Sequence, residues 1–251
     1  MKQFIAAIST PLASIFGSGF LVIVPILAGA VAYYSVYAMA LICLLAFMVG
    51  EMIRFNIRYV EPALKQSPSK PTLVFQRLSD IALILAYIIS VCLYLHILSA
   101  FVLNSLNADS GINEDILTTV IIVFITLVGL IKGLKPLEFL EKWALLTTFV
   151  VIIILSAALA NYDFQAWQST QGLIMPSWND QSQWKMLTIL AGTLIVVQGF
   201  ETSRYLGQNY SSQLRIKTSR YSQIISSIVY ISFVALALPV LHTLNGGYND
   251  H

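Results

Sequence analysis

Residues 14–21 read SIFGSGFL, inside the first long apolar run of the chain. Gly17, Ser18 and Gly19 are poor helix formers, yet a segment lying in hydrocarbon must satisfy its backbone hydrogen bonds internally. Two glycines around a serine mark one of two things. Either small residues let a neighbouring helix approach closely, or the helix is interrupted.

The run is one of several. The chain has 251 residues, of which 57% are hydrophobic and 10% charged, and its mean hydropathy is +0.78. Apolar runs of membrane-spanning length recur along it, so an all-α, polytopic membrane protein is predicted. A formal net charge of +2, spread over loops without a basic patch, gives no footing for nucleic acid. Cys43 and Cys92 lie inside apolar runs and read as small core residues without a disulfide role. No cleavable signal peptide is expected. Only Lys2 precedes the first run, which extends well past the usual core of about 7–15 residues.

Seven spanning segments are predicted, at about 4–33, 35–53, 79–103, 116–131, 143–160, 185–206 and 222–244. The first is too long for one straight helix across a core of about 30 Å, so it must tilt, bend or break. Gly17, Gly19 and Pro25 are the candidate break points. Of the 14 basic residues, all but Lys185 fall on one side: Lys2 and the stretches 54–77, 132–142 and 204–220. The opposite loops carry Asp109, Glu114, Asp115, Asp163, Asp180 and Asp250. The positive-inside rule then puts the N-terminus in the cytoplasm and the C-terminus outside. Tyr162, Trp167, Trp178 and Trp184 between the fifth and sixth spans read as an interfacial aromatic belt, as do Tyr33 and Tyr34.

Unusual residues for a membrane interior concentrate at 17–19 in the first span and at Gln198, Gly199, Phe200 and Glu201 in the sixth. Gly17 comes fifteen residues after Lys2, and Gly199 fourteen after Lys185. At about 1.5 Å per residue, both irregularities lie roughly 21–23 Å along their helices, entered from opposite faces. Two interrupted helices of opposite direction, five spans apart, point to an inverted-repeat transporter. A break frees N–H and C=O groups that are costly in hydrocarbon unless something binds them. A helix N-terminus after the first break suits a carboxylate. Freed carbonyls at the second suit an ammonium group or a cation. Packing of small residues remains the competing explanation for Gly17.

Glu201 is the acidic residue placed well inside a span, which makes it a functional candidate; the alternatives are an ion pair with Arg204 or a wet position near the interface. His96 reads as a proton relay or as a packed, hydrogen-bonded histidine. Glu51, near Arg54 and Arg58, reads as a snorkelling interfacial charge.

At its two motifs the sequence resembles the amino acid–polyamine–organocation (APC) superfamily of transporters. FGSGF at 16–20 is similar to that family's G-S-G-[IF] break in helix one. QGFE at 198–201 is similar to its G-[FY]-[ED] element in helix six. The basic stretch 215–220 is similar to the family's cytoplasmic connection into helix seven. The resemblance implies a LeuT-type fold of two inverted five-helix repeats, here with the first repeat complete over 1–160 and the second begun over 185–251 within one transmembrane domain. It implies a small zwitterionic substrate, its carboxylate on Gly17, Ser18 and Gly19 and its amine near Gln198, Gly199 and the adjoining carbonyls. Glu201 completes the candidate substrate-binding set.

The expected protein is thus an ion-coupled secondary permease of amino acids or related zwitterions, working by alternating access. It is multi-pass in the lipid bilayer of a bacterial inner membrane, without catalytic or metal-ligating residues and without a cofactor. The coupling ion, H+ or Na+, is open because 143–160 lacks the basic residue that some proton-coupled members carry in helix five. The oligomeric state is open too. The family fold needs ten helices and seven are counted, so a chain lacking helices eight to ten, and an assembly-dependent or non-transporting fragment, is the alternative expectation. A seven-helix receptor fits poorly, since its N-terminus would lie outside and 222–244 has no lysine to hold retinal. An intramembrane enzyme fits poorly as well, for want of G-x-S-G, H-E-x-x-H or paired-aspartate patterns.

Overall fold

The computed structural model describes residues 2–17, 19–66, 68–107, 110–133, 135–169, 172–176 and 182–244. Among them every regular element is helical. Six helical stretches are long and apolar enough to cross a membrane: Val22–Leu64, Lys70–Ser105, Gly111–Lys132, Phe139–Gln168, Gln183–Gln208 and Ser212–Leu241. Gln3–Ile15 is a shorter apolar helix.

The first predicted span is two helices. α1 (Lys2–Ile15) ends just before Gly17, and α2 (Gly19–Val31) begins just after it. Pro25, a predicted break point, sits within α2, and Pro11 within α1. Neighbouring groups re-satisfy a proline-freed carbonyl in membrane helices, so proline need not end them. A 3-10 turn, Ala32–Tyr34, separates α2 from α3 (Ser35–Phe55). Ala32 there has φ +48, a conformation an α-helix cannot propagate.

Several helices outrun their apolar cores. Lys70–Ser105 (α5, after a short α4, Glu61–Leu64) starts nine residues ahead of the predicted span, and Lys135–Gln168 (α7) extends past its span at both ends. Ser212–Ala237 (α9) starts ten residues early, so the basic residues 215–220, expected in a loop, lie on its first turns. Local chemistry sets these starts. Ser69 caps α5 by accepting from the Thr72 N–H, and Ser211 caps α9 by accepting from the Leu214 N–H. Hydropathy reports the apolar core alone, and polar caps are invisible to it.

The chain divides into two compact units, 55–143 and the remainder. In the 55–143 unit, α5 packs against α6 (Gly111–Lys132). The Ser99 and Thr118 hydroxyls hydrogen-bond at 2.8 Å in that buried contact. The other unit holds α1, α2, most of α3, the later part of α7, α8 (Gln183–Thr193) and α9. Its core gathers around the first break. Phe16 packs edge-on to Phe149 with centroids 5.0 Å apart, and Phe20 lies 4.4 Å from Phe233. Lipid tails are as apolar as these side chains, so close packing and hydrogen bonds, more than hydrophobicity, hold such helices together.

Candidate functional site: two helix breaks in contact

After α8 the sixth predicted span changes character. Leu194–Val197 form a 3-10 turn, Gln198 is extended (φ −76, ψ 171), Gly199 has φ +122, and Phe200–Gln208 continue as a second 3-10 helix. Runs of 3-10 helix longer than three or four residues are uncommon and mark hinges or strain. α1 packs against both α9 and the Phe200–Gln208 helix. The breaks meet directly. A Cβ on Gly199 would fall 2.7 Å from the Ile15 nitrogen and 2.7 Å from the Ser14 carbonyl carbon. Glycine is required there twice over, by dihedral and by approach.

Gly17 differs. Its nearest neighbour to an added Cβ would be the Ser14 oxygen at 3.7 Å, an ordinary contact. Gly17 therefore fits the first break by its low helix propensity, and among the described residues no close-packed neighbour demands glycine there. Gly17 is half-buried and Gly19 buried, while Ser18, the third expected carboxylate ligand, lies outside the described residues. Gln198 is half-buried and Glu201 is 6% exposed.

The freed backbone groups find partners within the protein. Glu201 turns back on the break and accepts the Gly199 N–H on Oε2 at 2.8 Å. The Gly199 carbonyl accepts the Thr202 hydroxyl at 2.6 Å and the Thr202 N–H at 3.2 Å. From α9, the Tyr230 hydroxyl reaches the carbonyl oxygens of Ile15 at 2.9 Å and Val196 at 3.1 Å. Tyr230 is fully buried, its ring stacked on Phe16 with centroids 5.8 Å apart and tilted against Phe20 at 5.1 Å. The Gly199 carbonyl thus has both lone pairs engaged, whereas the Ile15 and Val196 carbonyls each have a second one to offer a cationic group, and the start of α2 is a helix N-terminus suited to an anion.

Sequence reasoning found the breaks but missed Tyr230. Its signal was available. Arg215, Ser219, Ser222, Ser226 and Tyr230, spaced four, three, four and four apart, form a buried polar stripe on α9. Such a stripe within a span shows where the helix faces protein in place of lipid. Beside it, Arg54, only 2% exposed, donates to Gln223 Oε1 and to the Phe47 carbonyl. Gln223 also donates to the Ala46 carbonyl at 2.8 Å. Glu51, expected near Arg54 and Arg58 as an interfacial charge, pairs with Arg54 and, from α9, with Arg220, each at 3.0 Å. Arg215 donates to the Arg204 carbonyl at 3.0 Å, midway along the Phe200–Gln208 helix.

His96 is also partnered, its Nε2 lying 3.3 Å from Glu114 Oε2 in the α5–α6 contact. Trp167 and Trp184 are strongly exposed, as Tyr33 and Tyr34 are in part; Trp178 lies outside the described residues. Cys92, expected in the core, is exposed, whereas Cys43 is buried. An 18-residue apolar window on α5 that turns most of its surface outward explains the difference.

Comparisons with known proteins bear on the whole chain. A family model described as "APC superfamily transporter" matches residues 1–250. An uncharacterized protein of Aquifex aeolicus (strain VF5) is 38% identical over 235 residues, which make up 92% of this chain and 56% of that relative. The chain thus spans little more than half the length of the relative it matches. No solved structure matches it.

Proposed function

Since the chain belongs to the APC superfamily of transporters, we propose that it takes part in secondary, ion-coupled transport of amino acids or related small zwitterions by alternating access. The observation that carries this reading is the contact of two interrupted helices, Gly199 against Ile15, with a buried carboxylate, Glu201, at the junction. Substrate carboxylate on the start of α2 at Gly19, beside Gly17 and Ser18, and substrate amine near Gln198 and the carbonyls around Gly199 form the proposed binding mode. The LeuT-type repeat, a cytoplasmic N-terminus and a bacterial inner-membrane location belong to the same proposal. Its support is the placement of the breaks and the one-sided basic loops.

The test is uptake of a labelled amino-acid panel into proteoliposomes, with and without imposed proton or sodium gradients. Gradient-dependent accumulation of at least one zwitterion is expected, and no uptake or binding of any would overturn the reading. Because the chain matches 56% of its relative, the same assay separates two versions of it. Uptake by the 251-residue chain means that these helices suffice. Uptake only on reconstitution with further membrane segments means that they are one part of an assembly.

A further inference from the structure

Tyr230 joins two places that the chain itself keeps far apart. Ile15 closes α1, and Val196 lies in the turn that leads to the second break. Both carbonyls point at one hydroxyl on a third helix. A tyrosine has a single O–H proton, so it donates fully to one carbonyl or divides the bond between the two. The ring is fixed by Phe16 and Phe20, which flank the first break. Neither break can move away from the other without losing part of this bond in a site closed to water, where a lost bond is costly.

We propose that Tyr230 is a positioning residue that locks the two breaks together while the site is empty, and that its hydroxyl yields one of the two carbonyls when the ammonium group of a substrate enters. The second half rests on the transport reading above; the first does not. A protonated amine is a stronger donor to a carbonyl than a neutral phenol. The exchange of partner is therefore favourable, and it frees the α1 end from the Leu194–Val197 turn. Ligand entry and release of the lock become one event, which an alternating-access device requires.

Tyr230→Phe removes the oxygen and keeps the ring among its aromatic neighbours, so folding is preserved. Hydrogen–deuterium exchange of the 251-residue protein in lipid nanodiscs is compared for peptides covering 12–22 and 194–203. Both are expected to exchange about fivefold to tenfold faster in the variant, the size of one hydrogen bond, with α3 peptides unchanged. Acceleration at one break alone, or at neither, overturns the lock. The uptake arm uses whichever panel amino acid the wild type accumulates. Removing the competing hydroxyl is expected to lower KM severalfold while kcat falls, a split that a merely structural role does not produce. An unchanged or raised KM overturns the exchange of partners. If the wild type takes up no amino acid, either alone or reconstituted with further membrane segments, the transport reading fails along with that second half, and the exchange rates still decide the lock.

Discussion

Gly199 touches the backbone of Ile15, and this contact makes the two halves of the candidate site into one. The chain runs 184 positions between them, yet a single methyl group at Gly199 would lie within 2.7 Å of Ile15 and Ser14 backbone atoms. Its φ of +122 is closed to residues with side chains. Gly199→Ala is expected to cost at least about 1–3 kcal/mol in strain and to reduce uptake more than tenfold. Gly17→Ala meets nothing closer than 3.7 Å and is expected to retain far more activity. Parallel uptake assays and detergent melts of the two variants check the contrast, which equal loss in both would contradict.

Glu201→Gln keeps an oxygen able to accept the Gly199 N–H and removes the charge. Stability is expected to hold, with a melting point near that of the wild type, while proton- or substrate-linked uptake is abolished. Uptake with unaltered size and pH dependence would take Glu201 out of the mechanism.

Gly50 makes room for the end of the Gln223 side chain, whose Oε1 occupies the place a Cβ would take. Gly50→Ala must push that amide off Arg54 and take from a buried guanidinium one of its acceptors, leaving the Phe47 carbonyl and Glu51, at a cost of about 2 kcal/mol. Gln223→Ala removes the same acceptor. The double variant is therefore expected to be little worse than either single one, a coupling that a double-mutant cycle on melting temperature measures.

In the 55–143 unit, the buried Ser99–Thr118 hydrogen bond and the half-exposed His96–Glu114 pair are adjacent but unequal. Ser99→Ala strands a buried hydroxyl and is expected to cost about 1 kcal/mol. His96→Gln keeps a polar group and is expected to change stability by less than about 0.5 kcal/mol. Thermal melts rank them, and a larger loss for His96→Gln would reverse the assignment.

Much of this was open to reading in the residues. The apolar runs and the weak helix formers Gly17 and Gly199 act locally, through hydropathy and backbone freedom, and local properties need no partner to be recognised. The sixth span was harder. Nothing in LIVVQGFETSRYLGQ announces that residues 200–208 wind as a 3-10 helix, because that choice depends on what packs beside them. Pro25 misled for the same reason: a proline breaks an isolated helix, while neighbours in a folded membrane protein repair it.

The linear order of residues sufficed for helices alone among the described residues, with spans of membrane length and two weak points, since each follows from short stretches alone. The fold decided the partners. That Tyr230 reaches both Ile15 and Val196, that Glu201 faces Gly199, and that Gly50 yields its space to Gln223 are contacts between residues distant in sequence or set by an unusual backbone turn. Their energies exist only once the helices have packed, so the motif SIFGSGFL shows where a helix is weak, and the tertiary structure supplies what meets it there.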